Sequence, residues 1–251
     1  MNARAEELML SVFGSLPRQG PGSLACTRRA LARCEPLPPD AKIIDLGCGV
    51  GAQTLHLASL TSGSILAIDR HPPSIARLRA AIAERGLSHR VHARVADFGA
   101  LDLPPLSFDL VWSEGALYNL GLDHALPLCA GLLRSKGYLA FTDAVWRTID
   151  PPAEVRAAFA QEYPSMRRVD EVLALIERGP WRRVDHFDLP DEAWWDAFYG
   201  PLEQRLAQLR SAYVGDEELL TAVDELAREP EMHRRLGHHY GYTFFIAQRR
   251  E

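Results

Sequence analysis

The chain has no apolar run approaching the ~20 residues that a membrane-spanning helix needs, and its first sixteen residues carry Glu6 and Glu7 around only a short apolar stretch, unlike a secretory signal. Cysteine is scarce and scattered. Cys26, Cys34, Cys48 and Cys129 form no C-x-x-C pair, and no histidines stand at zinc-site spacing, which predicts reduced thiols and no metal. An excess of basic charge is missing too: 28 Lys and Arg face 33 Asp and Glu, interspersed, for a formal net charge of -5. That balance argues against nucleic acid as a partner. Nor is there a cluster of Asp and Asn to hold magnesium. These absences predict a cytoplasmic protein with neither a membrane nor a nucleic-acid partner.

Hydrophobic residues make up 47% of the 251, enough for one full α/β domain with a small elaboration. The chain is organised around Ile43-Ile44-Asp45-Leu46-Gly47-Cys48-Gly49-Val50-Gly51. A short apolar strand ends in a carboxylate, breaks into a G-x-G-x-G turn and continues as a helix over 52–60. Glycines let the backbone take conformations closed to residues with a Cβ, and the helix start behind them offers unpaired N–H donors. The dinucleotide fingerprint G-x-G-x-x-G sets a pyrophosphate on such a helix start, but here the third glycine comes one residue too early. A tight turn without a ligand would use the same glycines.

Strand and helix then alternate. A strand over 64–69 finishes on Asp69, a helix spans 72–86, and a strand over 91–98 carries Asp97 near its end. A fourth strand over 107–114 finishes on Glu114, followed by a helix over 123–134 and a fifth strand over 137–143. Asp69 lies 18 positions beyond Gly51. An acid there suits a ribose, since one carboxylate accepts hydrogen bonds from both hydroxyls of a diol; the bland alternative is a cap. Asp45, Asp69 and Asp97 close three consecutive strands, and ligands of open α/β sheets bind at those ends.

The flanks are helical. Residues 5–16 have helical spacing, 17–23 form a loop whose Ser23 caps a helix over 24–34, and the pair either covers a sheet edge or forms a flap with Arg18 reaching a carboxylate. Helices are expected over 153–162 and 169–178, a sixth strand over 181–189 and a seventh over 242–248. Between those last two, 191–212 and 216–235 have helical periodicity. Trp194, Trp195, Phe198 and Tyr199 in the first of these read as a packing face before a substrate cage.

The acidic-x-G-x-G-x-G turn, with Asp69 and then Asp97-Phe98 at the next strand ends, resembles the class I S-adenosylmethionine-dependent methyltransferases over about residues 40–145. R-Q-G-P-G-S near the start, W-S-E-G-A-x-Y-N after the fourth strand and Y-G-Y-T-F-F-I-A at the end resemble a bacterial group of that family over nearly the whole chain. The resemblance implies a Rossmann-like, mostly parallel seven-stranded sheet with helices on both faces and a last strand inserted antiparallel between the fifth and sixth. It divides a single domain 1–251 into a helical cap over 1–36, a core over 40–189 and 241–250, and a helical insertion or lid over 190–240. It implies S-adenosylmethionine as cofactor, held among Asp45, Gly47, Cys48, Gly49, Gly51, Asp69, Arg70, Asp97, Phe98, Ser113, Glu114 and Arg18. In that scheme Asp45 faces the cationic amino-acid end, Asp97 takes the adenine amino group and Phe98 packs on the ring.

The acceptor implied is a small molecule, with Glu114 and Tyr118 nearest the chemistry and His239 before the last strand as a further base. A solvated strand-end Glu, a packed Tyr and a surface His are the plain alternatives. The segment after the fourth strand lacks the D/N-P-P-Y type of sequence used on amide or adenine nitrogens, which disfavours that substrate class. A non-catalytic S-adenosylmethionine sensor and an NAD-dependent oxidoreductase stand as rival functions, and a homodimer stays open.

Overall fold

A strand with helices on both sides needs apolar residues in succession rather than in alternation, and β1 (Lys42–Leu46) has them: Ile43, Ile44 and Leu46 are all buried. The computed structural model describes residues 3–251. After α1 (Ala3–Ser15) and α2 (Leu24–Leu31), β1 leads through α3 (Ala52–Leu60), β2 (Ser64–Asp69), α4 (Pro72–Glu84), β3 (Val91–Val95), β4 (Phe108–Glu114) and α5 (Leu122–Leu132) to β5 (Leu133–Trp146). Then come α6 (Ala153–Glu162), β6 (Arg167–Arg168), α7 (Val169–Arg178) and β7 (Trp181–Asp188). The short α8 (Glu192–Trp194), a π-helical turn over Trp195–Tyr199, α9 (Gly200–Ala212), α10 (Glu217–Leu236) and β8 (Tyr240–Arg249) complete the chain.

The sheet runs β3-β2-β1-β4-β5-β8-β7. β1 to β5 are mutually parallel, and β8 lies antiparallel between β5 and β7, as the family resemblance implies. The two-residue β6, which pairs with Val145 and Trp146 of β5, was not expected. The strand order reverses between β1 and β4, which opens a crevice at their carboxyl ends.

Period-two alternation sorts successive side chains to opposite faces. Ile43, Ile65, Leu110 and Ala140 pack with Leu57 of α3 and Leu78 of α4. Ile44, Ile68, Val111 and Leu139 pack with Leu126 and Cys129 of α5 and Ile176 of α7. All four cysteines are buried free thiols.

A third core lies beyond the sheet. Leu8 and Val12 of α1, Val155 of α6, Leu202 and Leu206 of α9 and Val223 of α10 gather around Trp194, Phe198, Tyr199 and Tyr240. The N-terminal helices therefore do not act as a pair over a sheet edge. Val12 joins the insertion, with Phe13 and Phe198 ring centroids 6.3 Å apart, whereas Cys26 and Ala30 of α2 join the core over α3. Among the described residues no helix is long and apolar enough to cross a membrane, and no His, Cys, Asp and Glu cluster is placed to hold a metal ion.

Candidate functional site

The crevice at the strand-order reversal is a cleft of about 480 Å³, inside the range of small-molecule and cofactor sites. Its floor is the glycine turn. Gly47, Gly49 and Gly51 take φ of 71°, 53° and 87°. At Gly51 a Cβ would stand 2.1 Å from Leu78 Cδ1, so the turn closes onto α4 only with glycine there.

Every backbone amide of the turn is already bonded within the protein. Gly47 and Cys48 donate to Ile68 O at 2.8 and 2.9 Å, and Gly51 donates to Cys48 O at 2.9 Å. Gly49 donates to Asp69 Oδ2 at 2.8 Å and Val50 to Gln19 Oε1 at 3.1 Å. A phosphate seated on this turn would find no free N–H between Gly47 and Gly51, unlike the turns that hold pyrophosphates.

Asp69, half-buried at the end of β2, faces the cleft and also accepts from His71 N at 2.8 Å. Each of its oxygens keeps a lone pair. The exposed Arg70 follows it on the cleft wall. Asp97 accepts from Gly99 N at 2.8 Å and lines the cleft with Phe98. Gly47, Cys48 and Gly49 complete that part of the lining, and burial pushes the Cys48 thiol far up, with Asp45 and Asp69 adding to it.

Three residues expected at the ligand stand behind the cleft instead. Asp45 is fully buried; its carboxylate accepts from Thr54 Oγ1 at 2.6 Å and ties β1 to α3. Burial pushes its pKa up to about 7 against the pull of Thr54. Gly51 is covered by Leu78. Ser113, also fully buried, donates to Leu46 O at 2.8 Å and stitches β4 to β1. Residues on a strand alternate faces, so the last acid before a turn need not point along the strand axis into the crevice.

Glu114 does reach the cleft, but not as an unengaged base. Trp112 Nε1 donates to its Oε1 at 2.8 Å and Thr27 Oγ1 to the same oxygen at 3.4 Å, while Arg18 Nη2 ion-pairs with its Oε2. Arg18 is 4% exposed. Its Nε donates to Gly20 O at 2.9 Å and its Nη2 also to Pro21 O at 3.2 Å, yet Nη1 is buried with no partner. A buried guanidinium donor left unmet costs free energy unless a ligand meets it.

Tyr118, Asn119, Leu120 and Tyr242 also line the cleft. The Tyr118 ring lies 5.2 Å from that of Tyr163, whose hydroxyl donates to Asp143 Oδ2 at 2.6 Å. His239 is elsewhere. Its Nδ1 sits 3.0 Å from Thr148 Oγ1 in the turn before β8, which excludes it from the cleft wall.

The aromatic group of the insertion is a packing face: Trp194, Phe198 and Tyr199 are buried, and Trp194 stacks on His233 at 4.1 Å. No residue of 190–240 lines the cleft. The insertion acts through the strap over 17–22, where Gly22 N donates to Ala193 O at 2.9 Å. Sequence reasoning missed Gln19, Gln53, Asn119 and Tyr242. Gln19 adjoins Arg18 in the same loop, which is a signal; Tyr242 reaches the site only because β8 inserts beside β5.

Asp143 gives the cleft's surroundings a pH dependence. Burial pushes its carboxyl from 3.8 up to about 7, opposed by the Tyr163 hydrogen bond. Between those values the native state binds more protons than the unfolded chain, so this group's contribution to stability falls as pH rises. Asp143→Asn is expected to remove about 2 kcal/mol of the decline between about pH 5 and 8, measured by urea unfolding at both values. Parallel declines in the variant and the parent would refute the assignment.

Residues 43–137 match a family model described as a methyltransferase domain. Over 146 residues the chain is 31% identical to the uncharacterized methyltransferase YodH of Bacillus subtilis (strain 168), covering 58% of this chain and 60% of that one. Over 161 residues it is 31% identical to the methyltransferase GfsG of Streptomyces halstedii, covering 60% and 56%. The chain thus spans less than two thirds of the length of these relatives. A solved structure of an S-adenosylmethionine-dependent methyltransferase from Geobacter sulfurreducens, in complex with S-adenosyl-L-homocysteine, superposes with a TM-score of 0.83 at 19% identity over 97% of this chain and 98% of that one. At that identity the likeness is one of fold.

Proposed function

We propose that the chain is a class I S-adenosylmethionine-dependent methyltransferase, that its cleft binds S-adenosylmethionine and that it transfers the methyl group to a small-molecule acceptor; the methyltransferase-domain match over 43–137, the methyltransferase relatives and the shared fold support the reading. One observation carries the reading: the glycine turn keeps its five amides for itself while the cleft is lined by Asp69, Asp97 and Arg18, whose buried Nη1 has no partner. That donor and acceptor set suits a ligand with a ribose, an adenine amino group and a carboxylate, and it gives a phosphate little to hold.

Asp69 would take the ribose diol, Asp97 the adenine amino group with Phe98 against the ring, and Arg18 Nη1 the carboxylate of the methionyl end. When bound, the cofactor supplies a methyl group already activated on a sulfonium, so that holding the reacting atoms in line provides on the order of 7–11 kcal/mol. Glu114 is a positioning residue in this scheme: with both oxygens engaged, it holds Arg18 in place and keeps the guanidinium's charge balanced inside the protein. Tyr118 and Tyr242 also line the cleft, and the acceptor would approach beside them. Asp45 and Ser113 hold the turn's shape and touch nothing that reacts.

Calorimetric titration with S-adenosylmethionine, S-adenosylhomocysteine and NAD in parallel tests the reading. Micromolar binding of both adenosyl ligands and no heat with NAD is the expected result; binding of NAD alone would overturn it. A panel of small amines, phenols, thiols and carboxylates, read by release of S-adenosylhomocysteine, then separates an enzyme from a sensor, since only an enzyme releases product.

A further inference from the structure

The strap over 17–22 does more than carry Arg18. Its neighbour Gln19 lays a carboxamide oxygen on the glycine turn, accepting the Val50 N–H at 3.1 Å, one residue ahead of the left-handed Gly51 that opens α3. The approach is close enough to shape the turn itself: a Cβ on Gly49 would stand 2.4 Å from Gln19 Oε1. Gln19 also lines the cleft. The strap that holds it is pinned at several points. Arg77 Nη1 donates to Leu16 O at 2.7 Å, Arg18 binds Gly20 O and Glu114, and Gly22 N binds Ala193 O.

In phosphate-binding α/β folds the amides of this turn and the start of the following helix meet a pyrophosphate. Here two side-chain oxygens occupy the turn amides that no backbone carbonyl takes, Asp69 on Gly49 and Gln19 on Val50. Asp69 belongs to the sheet and is retained by any ribose-binding site; Gln19 comes from the strap and has no such reason to be there. We propose that Gln19 is a specificity-determining residue: its carboxamide oxygen plugs the Val50 amide, one of those that would otherwise receive an adenylate's phosphates, so that the cleft takes an adenosyl thioether or sulfonium and rejects adenosine phosphates. The buried, unmet Arg18 Nη1 supplies the complementary half, since it places the anion-accepting donor on the strap and not on the turn.

The inference rests on the cofactor reading above, and its test separates the two. Purified wild type, Gln19→Ala and Gln19→Glu are titrated by calorimetry with S-adenosylhomocysteine and with ADP, after thermal unfolding has shown that each is folded. Wild type is expected to bind the thioether and to give no heat with ADP at about 1 mM. Gln19→Ala frees the amide, and its affinity for ADP is expected to rise at least about tenfold, with the ratio of ADP to S-adenosylhomocysteine affinity rising at least as much. Gln19→Glu keeps an oxygen on Val50 N and adds a negative charge, so it should gain nothing with ADP. An ADP affinity in Gln19→Ala no higher than in wild type, or an equal gain in Gln19→Glu, overturns the inference. Failure of wild type to bind S-adenosylhomocysteine overturns the cofactor reading instead, and Gln19 is then still judged on ADP alone.

Discussion

Arg18→Met is expected to destabilise the protein by about 3–5 kcal/mol, because it strands a buried carboxylate. The Arg18 and Glu114 side chains are 5% and 1% exposed. Without the guanidinium, Glu114 keeps only Trp112 Nε1 at 2.8 Å and Thr27 Oγ1 at 3.4 Å, both neutral donors, and the strap loses its bonds to Gly20 O and Pro21 O. Replacing both partners is a different matter, since a buried ion pair exchanged for neutral groups of similar volume is often close to neutral in stability. Arg18→Met/Glu114→Gln should therefore recover most of the loss. Its affinity for S-adenosylhomocysteine should nonetheless stay at least about tenfold below wild type, because the donor for the carboxylate is gone. Urea unfolding and calorimetry on the four proteins of the cycle read both quantities. A double variant that binds like wild type would remove Arg18 from the ligand site and leave it a purely structural partner of Glu114.

The second large effect is on binding. Asp69→Ala is expected to weaken S-adenosylhomocysteine by about a hundredfold or more, since a charged acceptor gives each hydroxyl roughly 1.5–3 kcal/mol. The same substitution releases Gly49 N and His71 N, so the glycine turn loses a side-chain anchor as well. Asp69→Asn retains one carbonyl oxygen and is expected to lose only about tenfold. Titration of both variants decides the point: if Ala binds within about threefold of wild type, Asp69 holds the turn and not the ribose.

Much of the fold was legible because burial imposes patterns that repeat locally. β1, β2 and β4 announced themselves as apolar runs with an acid at or next to their last residue, and the helices as periodic segments with caps, Ser23 accepting from Cys26 N at 3.2 Å among them. Asp69, Asp97 and Phe98 could be placed at the cleft because a strand end and a ligand crevice coincide in this topology. Asp45, at the end of an equally clear strand, went the other way. Its side chain turns under α3 to Thr54 and Gln53, and only packing decides which way a strand-end residue turns.

The amino-acid sequence by itself determined the order of strands and helices, the glycine turn and the acids that could meet a nucleoside, because those depend on spacing along the chain. Tertiary structure alone decided the rest. It joined Arg18 to Glu114 across 96 positions and Gln19 to Val50 across 31, brought Tyr242 to the cleft on the last strand, and withdrew His239 and the tryptophans of the insertion into other contacts. Those pairings join residues far apart in the chain, and no local periodicity encodes them: each is set by how far a buried charge or an open amide must reach for a partner once water has been excluded.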